Sequence, residues 1–226
     1  MSLKNIITEH DTMADLIRQD YNILPVISRF GIPLGVGNKD IAHICNQAGV
    51  NTKLFLMVVN LILSSHADVS DIIDDDVLKI VDFLHNSHTY FLDYKFPHIR
   101  QNLQNALDPT HVDINPAIMQ FFDDYVEQVK LHFAYEENTV FPYVRSLVKG
   151  ENSNYNIGIF RKHHDEVADR LTELKNIILL YYTTTTPDKM YDALVDIFNC
   201  EADLESHAQI ENNILVPAIA NIENRG

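Results

Sequence analysis

Two short stretches of this 226-residue chain repeat the same arrangement of histidine and glutamate. HFAYEENTVFP runs from His132 to Pro142 and HAQIENNILVP from His207 to Pro217, and each reads His, three residues, Glu, one residue, Asn, three residues, Pro. Residues four apart lie on one face of a helix, so each stretch pairs an imidazole with a carboxylate, Glu136 or Glu211. One stretch alone would be read as a hydrogen-bonded pair at a helix end. Two copies, both on the apolar side of their helices, favour a metal site.

Two further helices add histidines to the same interior. In LHNSHTYFLDYKFPHIR, the spacing of the apolar residues places His88, in preference to His85 and His98, on the inward face of the helix. In IFRKHHDEVADRL, the same spacing places His164 inward in preference to His163. Buried carboxylates without a compensating charge cost several kcal/mol. Imidazole and carboxylate without thiolate suit iron, manganese or zinc, and two carboxylates able to bridge suit a two-metal site.

The elements that position these residues are helices. Only 7 glycines and 8 prolines interrupt the chain, and apolar residues recur every three or four positions, which predicts an all-α fold. Short helices are expected up to about residue 63, as a small helical N-terminal domain over 1–66. Longer helices near 73–107 with a bend at Pro97, 115–148, 155–183 and 187–222 are joined by short links, which predicts an antiparallel four-helix bundle over 73–226.

The composition excludes several classes of protein. The formal net charge of -15 would repel a phosphate backbone, so we expect no nucleic-acid partner. No apolar run reaches the roughly 18 to 20 residues that cross a bilayer, and the N-terminus has no apolar signal core, so a soluble, cytoplasmic protein without a membrane partner is expected. Cys45 and Cys200 share no short-range motif, and neither a disulfide framework nor a Cys-rich metal site is predicted.

The ligand motifs, in the order SHTYFLDYKFP, HFAYEENTVFP, HHDEVADRL and HAQIENNILVP, resemble those of hemerythrin-like di-iron proteins, and more closely those of the Repair of Iron Centers family. This resemblance covers the whole chain, because the family also carries a short N-terminal domain. It implies two non-haem iron ions, a di-iron centre compatible with an oxo bridge, and Glu136 and Glu211 as bridging ligands. Four histidines are implied as ligands: His88, His132, His164 and His207. His111 is the nearest match to a fifth histidine of the family, although an exposed loop histidine is the simple alternative.

The resemblance also implies a function, in repair of stress-damaged iron–sulfur clusters and protection from nitrosative and oxidative stress. The expected partners are a small diatomic ligand, O₂ or NO, or peroxide, together with iron–sulfur proteins. One departure matters, since GIPLGVG lacks the Cys–Cys pair that follows GI in the family. A di-iron sensor or carrier of O₂ or NO, signalling through the N-terminal domain, is therefore the alternative, and a metal-free interaction protein is a third class. The N-terminal domain is further expected to dock to a partner or to a second copy of the chain, as a homodimer, through apolar residues such as Leu34, Phe55 and Met57.

Overall fold

A computed structural model of the chain describes residues 6–65, 67–70, 72–151, 153–160, 169–185 and 187–225. Within these ranges all extended regular structure is helical, and the only strand-like pairing is an isolated antiparallel bridge between Thr12 and Asp40. The predicted all-α class is confirmed. None of the helices in the described part of the chain combines the length and the apolar character that crossing a bilayer requires.

Four short helices form the N-terminal part, and their ends follow the local sequence. Asp40 accepts a 2.7 Å hydrogen bond from the His43 amide and begins the third helix, which ends before Gly49 in the left-handed conformation, at φ 69°. The Asn51 side chain begins the fourth helix by accepting from the Leu54 amide at 3.2 Å. The helices are α1 (Met13–Gln19), α2 (Ile23–Arg29), α3 (Ile41–Ala48) and α4 (Thr52–Ser64).

The longer helices beyond residue 73 are interrupted by three five-residue π-helical segments, here named π1 to π3. The predicted helices near 73–107, 115–148 and 187–222 are all present, with Pro187 as the first residue of the last one, but none of the π segments was predicted. The elements are α5 (Asp74–Tyr90), π1 (Phe91–Lys95), α6 (Phe96–Ala106), α7 (Asn115–Tyr135), π2 (Glu136–Val140), α8 (Phe141–Val148), α9 (Ile157–Phe160), α10 (Asp169–Tyr181), α11 (Pro187–Ile210), π3 (Glu211–Leu215) and α12 (Val216–Glu223).

The predicted helix over 155–183 is described in two parts, α9 and α10. Residues 161–168 between them, including the predicted ligand His164 and its neighbour His163, lie outside the described residues. The structure therefore gives no position for this ligand.

Contacts group the chain into two compact units, Met1–Leu84 with Ser206–Gly226, and His85–Glu205. The first unit has an apolar core in which Phe30 packs against Phe55 and Phe83, with ring centroids 5.5 and 4.7 Å away. Phe55 is 0% exposed and Met57 is 9% exposed, so the prediction that they form a docking surface is wrong. Helix α4 is apolar on all sides, and a helix of that kind is buried. Leu34 is exposed, as expected.

In the second unit, hydrogen bonds around Asp108 join the loop after α6 to the segment after α10. This buried carboxylate accepts from the amide and hydroxyl groups of both Thr110 and Thr185, while the Tyr182 hydroxyl accepts from the Asp108 amide and donates to Asn115. These hydrogen bonds, from the Thr185 and Thr110 side chains above all, hold the pKa of the Asp108 carboxyl well below its usual range. The domain boundary between residues 66 and 73 stays a prediction.

Candidate metal centre

Each copy of the repeated motif forms the expected helical His–Glu pair. His132 Nε2 lies 3.1 Å from Glu136 Oε1, and His207 Nε2 lies 3.1 Å from Glu211 Oε1. In both pairs the histidine is in the last turn of a long helix and the glutamate is the first residue of the following π segment. Both carboxylate side chains are 0% exposed.

The two oxygens of Glu136 face two different histidines. While Oε1 lies near His132, Oε2 lies 3.0 Å from Nε2 of His88, which comes from α5. Each oxygen of this one carboxylate is thus next to a separate imidazole nitrogen. A carboxylate placed in this way can serve two cations, each with its own histidine.

Four buried side chains come together as potential ligands. His88, Glu136, His207 and Glu211 are all buried, and each offers one ligand atom such that these atoms lie within 4.8 Å of one another. Two buried carboxylates in so small a volume are expensive unless positive charge offsets them. Imidazole nitrogen and carboxylate oxygen are the donor set of iron, manganese and zinc sites. The arrangement is therefore a possible metal-binding group.

The π segments explain why proline and asparagine belong to the repeated motif. Pro142 and Pro217 have no N–H for the carbonyl four residues earlier, and the turn before each is widened, with the Phe141 amide donating to the Glu136 carbonyl and the Val216 amide to the Glu211 carbonyl. The side-chain amide of each motif asparagine donates to the backbone carbonyl four residues earlier. Asn138 donates to Ala134 at 2.7 Å, and Asn213 donates to Gln209 at 3.0 Å. The motif thus places its glutamate at the start of a widened turn.

Aromatic packing fixes the ring of His88. The imidazole is 3% exposed and stacks on Phe133, with centroids 4.0 Å apart and an interplanar angle of 17°. Phe141 lies nearly parallel to the same ring at 5.5 Å. These contacts limit rotation of the imidazole, so its two nitrogens point in set directions. The sequence favoured His88 as the inward-facing histidine of this helix, and it is buried while His85 and His98 are exposed.

Tyr135, the residue before Glu136, pairs with a second tyrosine, Tyr155. The Tyr135 and Tyr155 hydroxyl oxygens are 2.8 Å apart. Burial, then the hydrogen bond with Tyr135, raises the pKa of Tyr155, with Glu136 among the smaller causes. Tyr155 is therefore a neutral hydroxyl at physiological pH.

His111 lies elsewhere. It is in the loop between α6 and α7, where its Nε2 is 2.8 Å from the Thr183 carbonyl oxygen and its ring packs near Tyr182. Helix α7 begins at Asn115 and His132 is 17 residues further along it, a rise of about 26 Å. His111 is not part of the four-residue group found among the described residues. Its role as a fifth ligand stays a prediction, which its position in this loop does not favour.

Sequence reasoning missed one residue at the centre, Glu137. Its Oε1 lies 2.7 Å from His88 Nδ1 and 2.9 Å from His85 Nδ1. The available signal was the doubled glutamate of YEEN, where the second copy of the motif has the single glutamate of IENN. On its own, that difference did not distinguish a contact from a solvated side chain.

Comparison with known proteins matches a family model to the part of the chain that holds these residues. The family model described as hemerythrin HHE cation binding domain matches residues 79–220, which include every predicted ligand. This domain is a helical bundle, as the fold class predicted from the sequence requires. A search of the curated proteins finds no match.

Proposed function

The chain belongs to the hemerythrin HHE cation-binding family, and on that premise we propose that it holds two non-haem irons and acts in the repair of stress-damaged iron–sulfur clusters. The observation that carries the proposal is the buried group of two histidines and two glutamates. Within it, Glu136 presents its two oxygens to two different histidines. Such an arrangement supports a pair of metals over a single one.

The proposed ligands follow from this arrangement and from the resemblance of the motifs to the Repair of Iron Centers family. In this proposal Glu136 and Glu211 would be the carboxylates that both irons share. The centre would be completed by four histidines, of which His164 lies outside the described residues: His88, His132, His164 and His207. Two irons held there would supply one-electron chemistry and affinity for O₂, NO or peroxide.

The protein's own residues contribute shielding and orientation. The carboxylates are 0% exposed, so bulk water does not compete for them. Phe133 and Phe141 hold the His88 ring in place, and the widened turns after α7 and α11 hold the glutamates. Because these contacts already hold the ligand side chains in position, little conformational entropy is lost when a metal binds.

The repair function is tested with an iron–sulfur enzyme inactivated by NO. Adding the iron-loaded protein should restore its activity, while a Glu136→Gln, Glu211→Gln double variant and the chelator-stripped protein should not. Equal recovery with all three preparations would contradict the repair proposal.

One observation favours a second function, binding of O₂ or NO as a sensor or carrier. Cys45 and Cys200 are the two cysteines of the sequence, both are buried, and burial raises the pKa of the Cys45 thiol to about 11. Neither is placed as an exposed, reactive thiol, and GIPLGVG lacks the Cys–Cys pair of the family that the motifs resemble. A visible spectrum that changes reversibly with NO, without recovery of the damaged enzyme, would select this function over repair.

A further inference from the structure

Glu137 joins two histidines of α5 through one oxygen atom. Its Oε1 lies 2.7 Å from Nδ1 of His88 and 2.9 Å from Nδ1 of His85. The His88 side chain is 3% exposed, that of Glu137 31% and that of His85 55%, so the contacts run from the buried imidazole outward to the surface. Both distances are those of charge-assisted hydrogen bonds.

The two nitrogens of His88 therefore have different neighbours. Nδ1 faces Glu137, while Nε2 lies 3.0 Å from Oε2 of Glu136, the carboxylate of the candidate metal centre. A carboxylate accepts hydrogen bonds and cannot donate them when ionised, so Glu137 favours a proton on Nδ1. A histidine protonated on Nδ1 has Nε2 available as a metal ligand.

We propose that Glu137 is a positioning residue, which holds the proton on Nδ1 of His88 and directs Nε2 toward the metal centre. The inference rests on the proposed metal-binding function. Glu137 touches His88 and acts through it. His85 in turn donates to the same Oε1 and holds the Glu137 carboxylate in place.

The repeated motif shows that this contact is specific to one half of the centre. The position that follows the shared glutamate is Glu137 in the first copy and an exposed Asn212 in the second. The motif itself therefore does not require a carboxylate there. What differs is the neighbour, since Glu137 lies beside two histidines of α5.

The tautomer of His88 in the metal-free protein tests the inference directly, with long-range nitrogen–proton NMR of protein labelled in its histidines. The parent should show a proton on Nδ1 of His88, with or without a second proton on Nε2. In Glu137→Ala, Nδ1 loses the Glu137 carboxylate while Nε2 keeps that of Glu136, so the Nδ1 proton should be lost and the ring should take the Nε2–H form. Glu137→Gln retains an acceptor oxygen and should keep the Nδ1 proton.

The second measurement is Fe²⁺ affinity by competition with a chelator. Loss of an outer partner of a ligating histidine typically weakens metal affinity about 10- to 100-fold, and we expect a loss of that size for Glu137→Ala and a smaller one for Glu137→Gln. Glu127→Ala, which removes an exposed carboxylate of α7 paired with Lys130 at 3.6 Å, is the matched control and should change neither measurement.

Four results overturn the inference: an Nδ1 without a proton in the parent, a proton that stays on Nδ1 in Glu137→Ala, an unchanged Fe²⁺ affinity in Glu137→Ala, or the same loss of affinity in Glu127→Ala. A failure of the metal-binding proposal is distinguishable from these. A parent that carries the Nδ1 proton and binds no Fe²⁺ supports the hydrogen bond and refutes the metal centre.

Discussion

Replacing Glu136 by glutamine should weaken iron binding more than any single histidine change. The carboxylate is 0% exposed and its two oxygens lie 3.1 and 3.0 Å from two histidines, so glutamine removes the charge from both contacts at once. Glu211→Gln is expected to behave in the same way. A histidine variant such as His132→Ala removes a ligand from one metal alone.

The size of the effect follows from linkage between binding and folding. With iron at about 100 times its dissociation constant, each of the two irons stabilises the folded protein by about 2.7 kcal/mol, so a variant that no longer binds either iron would lose about 5.4 kcal/mol. For a chain of this size each kcal/mol corresponds to about 2–4 °C of melting temperature, so the variant in iron should melt roughly 11–22 °C below the iron-loaded parent. Without iron, the glutamine amide can still hydrogen-bond to the neighbouring imidazoles, and we expect a difference of about 1 kcal/mol or less.

Thermal unfolding of parent, Glu136→Gln and the exposed control Glu127→Gln, each with and without iron, measures this difference. The account predicts a large loss for Glu136→Gln in iron, a small one without iron, and no loss for the control. An equal loss with and without iron would refute the reasoning, because the carboxylate would then be a structural group only.

Three further predictions concern the surrounding structure. His111→Ala should leave the iron content unchanged and lower the melting temperature, because Nε2 lies 2.8 Å from the Thr183 carbonyl oxygen; a loss of iron measured by metal analysis would restore His111 as a ligand. Asp108→Asn should destabilise the metal-free protein at pH 7 relative to the exposed control Asp113→Asn. Because the pKa of Asp108 is lowered in the folded protein, the stability that aspartate adds over asparagine is present above the ordinary pKa of about 3.9 and is lost as the pH falls toward the folded-state pKa. If the two proteins still differ in melting temperature at acid pH, the ionised carboxylate is not the source of this stability. Pro142→Ala restores a backbone N–H donor and should remove the widened turn that begins at Glu136, which lowers the iron content without loss of helix. The matched control is Pro97→Ala, at the proline that follows π1. Equal loss of iron in both variants, measured by metal analysis, would argue against a role for the turn at Glu136.

Helix ends and the pairing of ligands within one helix could be predicted from local sequence. Gly49 and Asn51 mark a helix end and the next helix start because a left-handed residue and a capping side chain act within a few residues. The pair His132 and Glu136 follows from helical geometry alone. In such cases the interaction spans a single turn, and no tertiary information is needed.

Contacts between helices could not be predicted in the same way. The approach of His88 to Glu136 and Glu137 joins residues about fifty positions apart, and nothing in the spacing of either segment distinguishes Glu137 from a solvated glutamate. The π segments keep the apolar spacing of an α-helix, so periodicity did not reveal them, although a proline two residues after each segment was visible in the sequence.

The burial of Phe55 was misjudged for a different reason. The stretch LFLMVVNLIL of α4 is apolar on every face, and this pattern indicates a buried helix. The predicted docking surface rested on the apolar character of Phe55 and Met57 alone, whereas the apolar residues around them place both inside the core. The exposed Leu34 lies in a loop, where that pattern is absent.

Metal analysis of the full chain, purified without chelator from cells grown in iron-rich medium, tests the central claim most directly. The account predicts about two irons per chain, with Glu136→Gln and Glu211→Gln each far below that value and Glu127→Gln equal to the parent. One zinc per chain, or no metal at all, would contradict the di-iron centre.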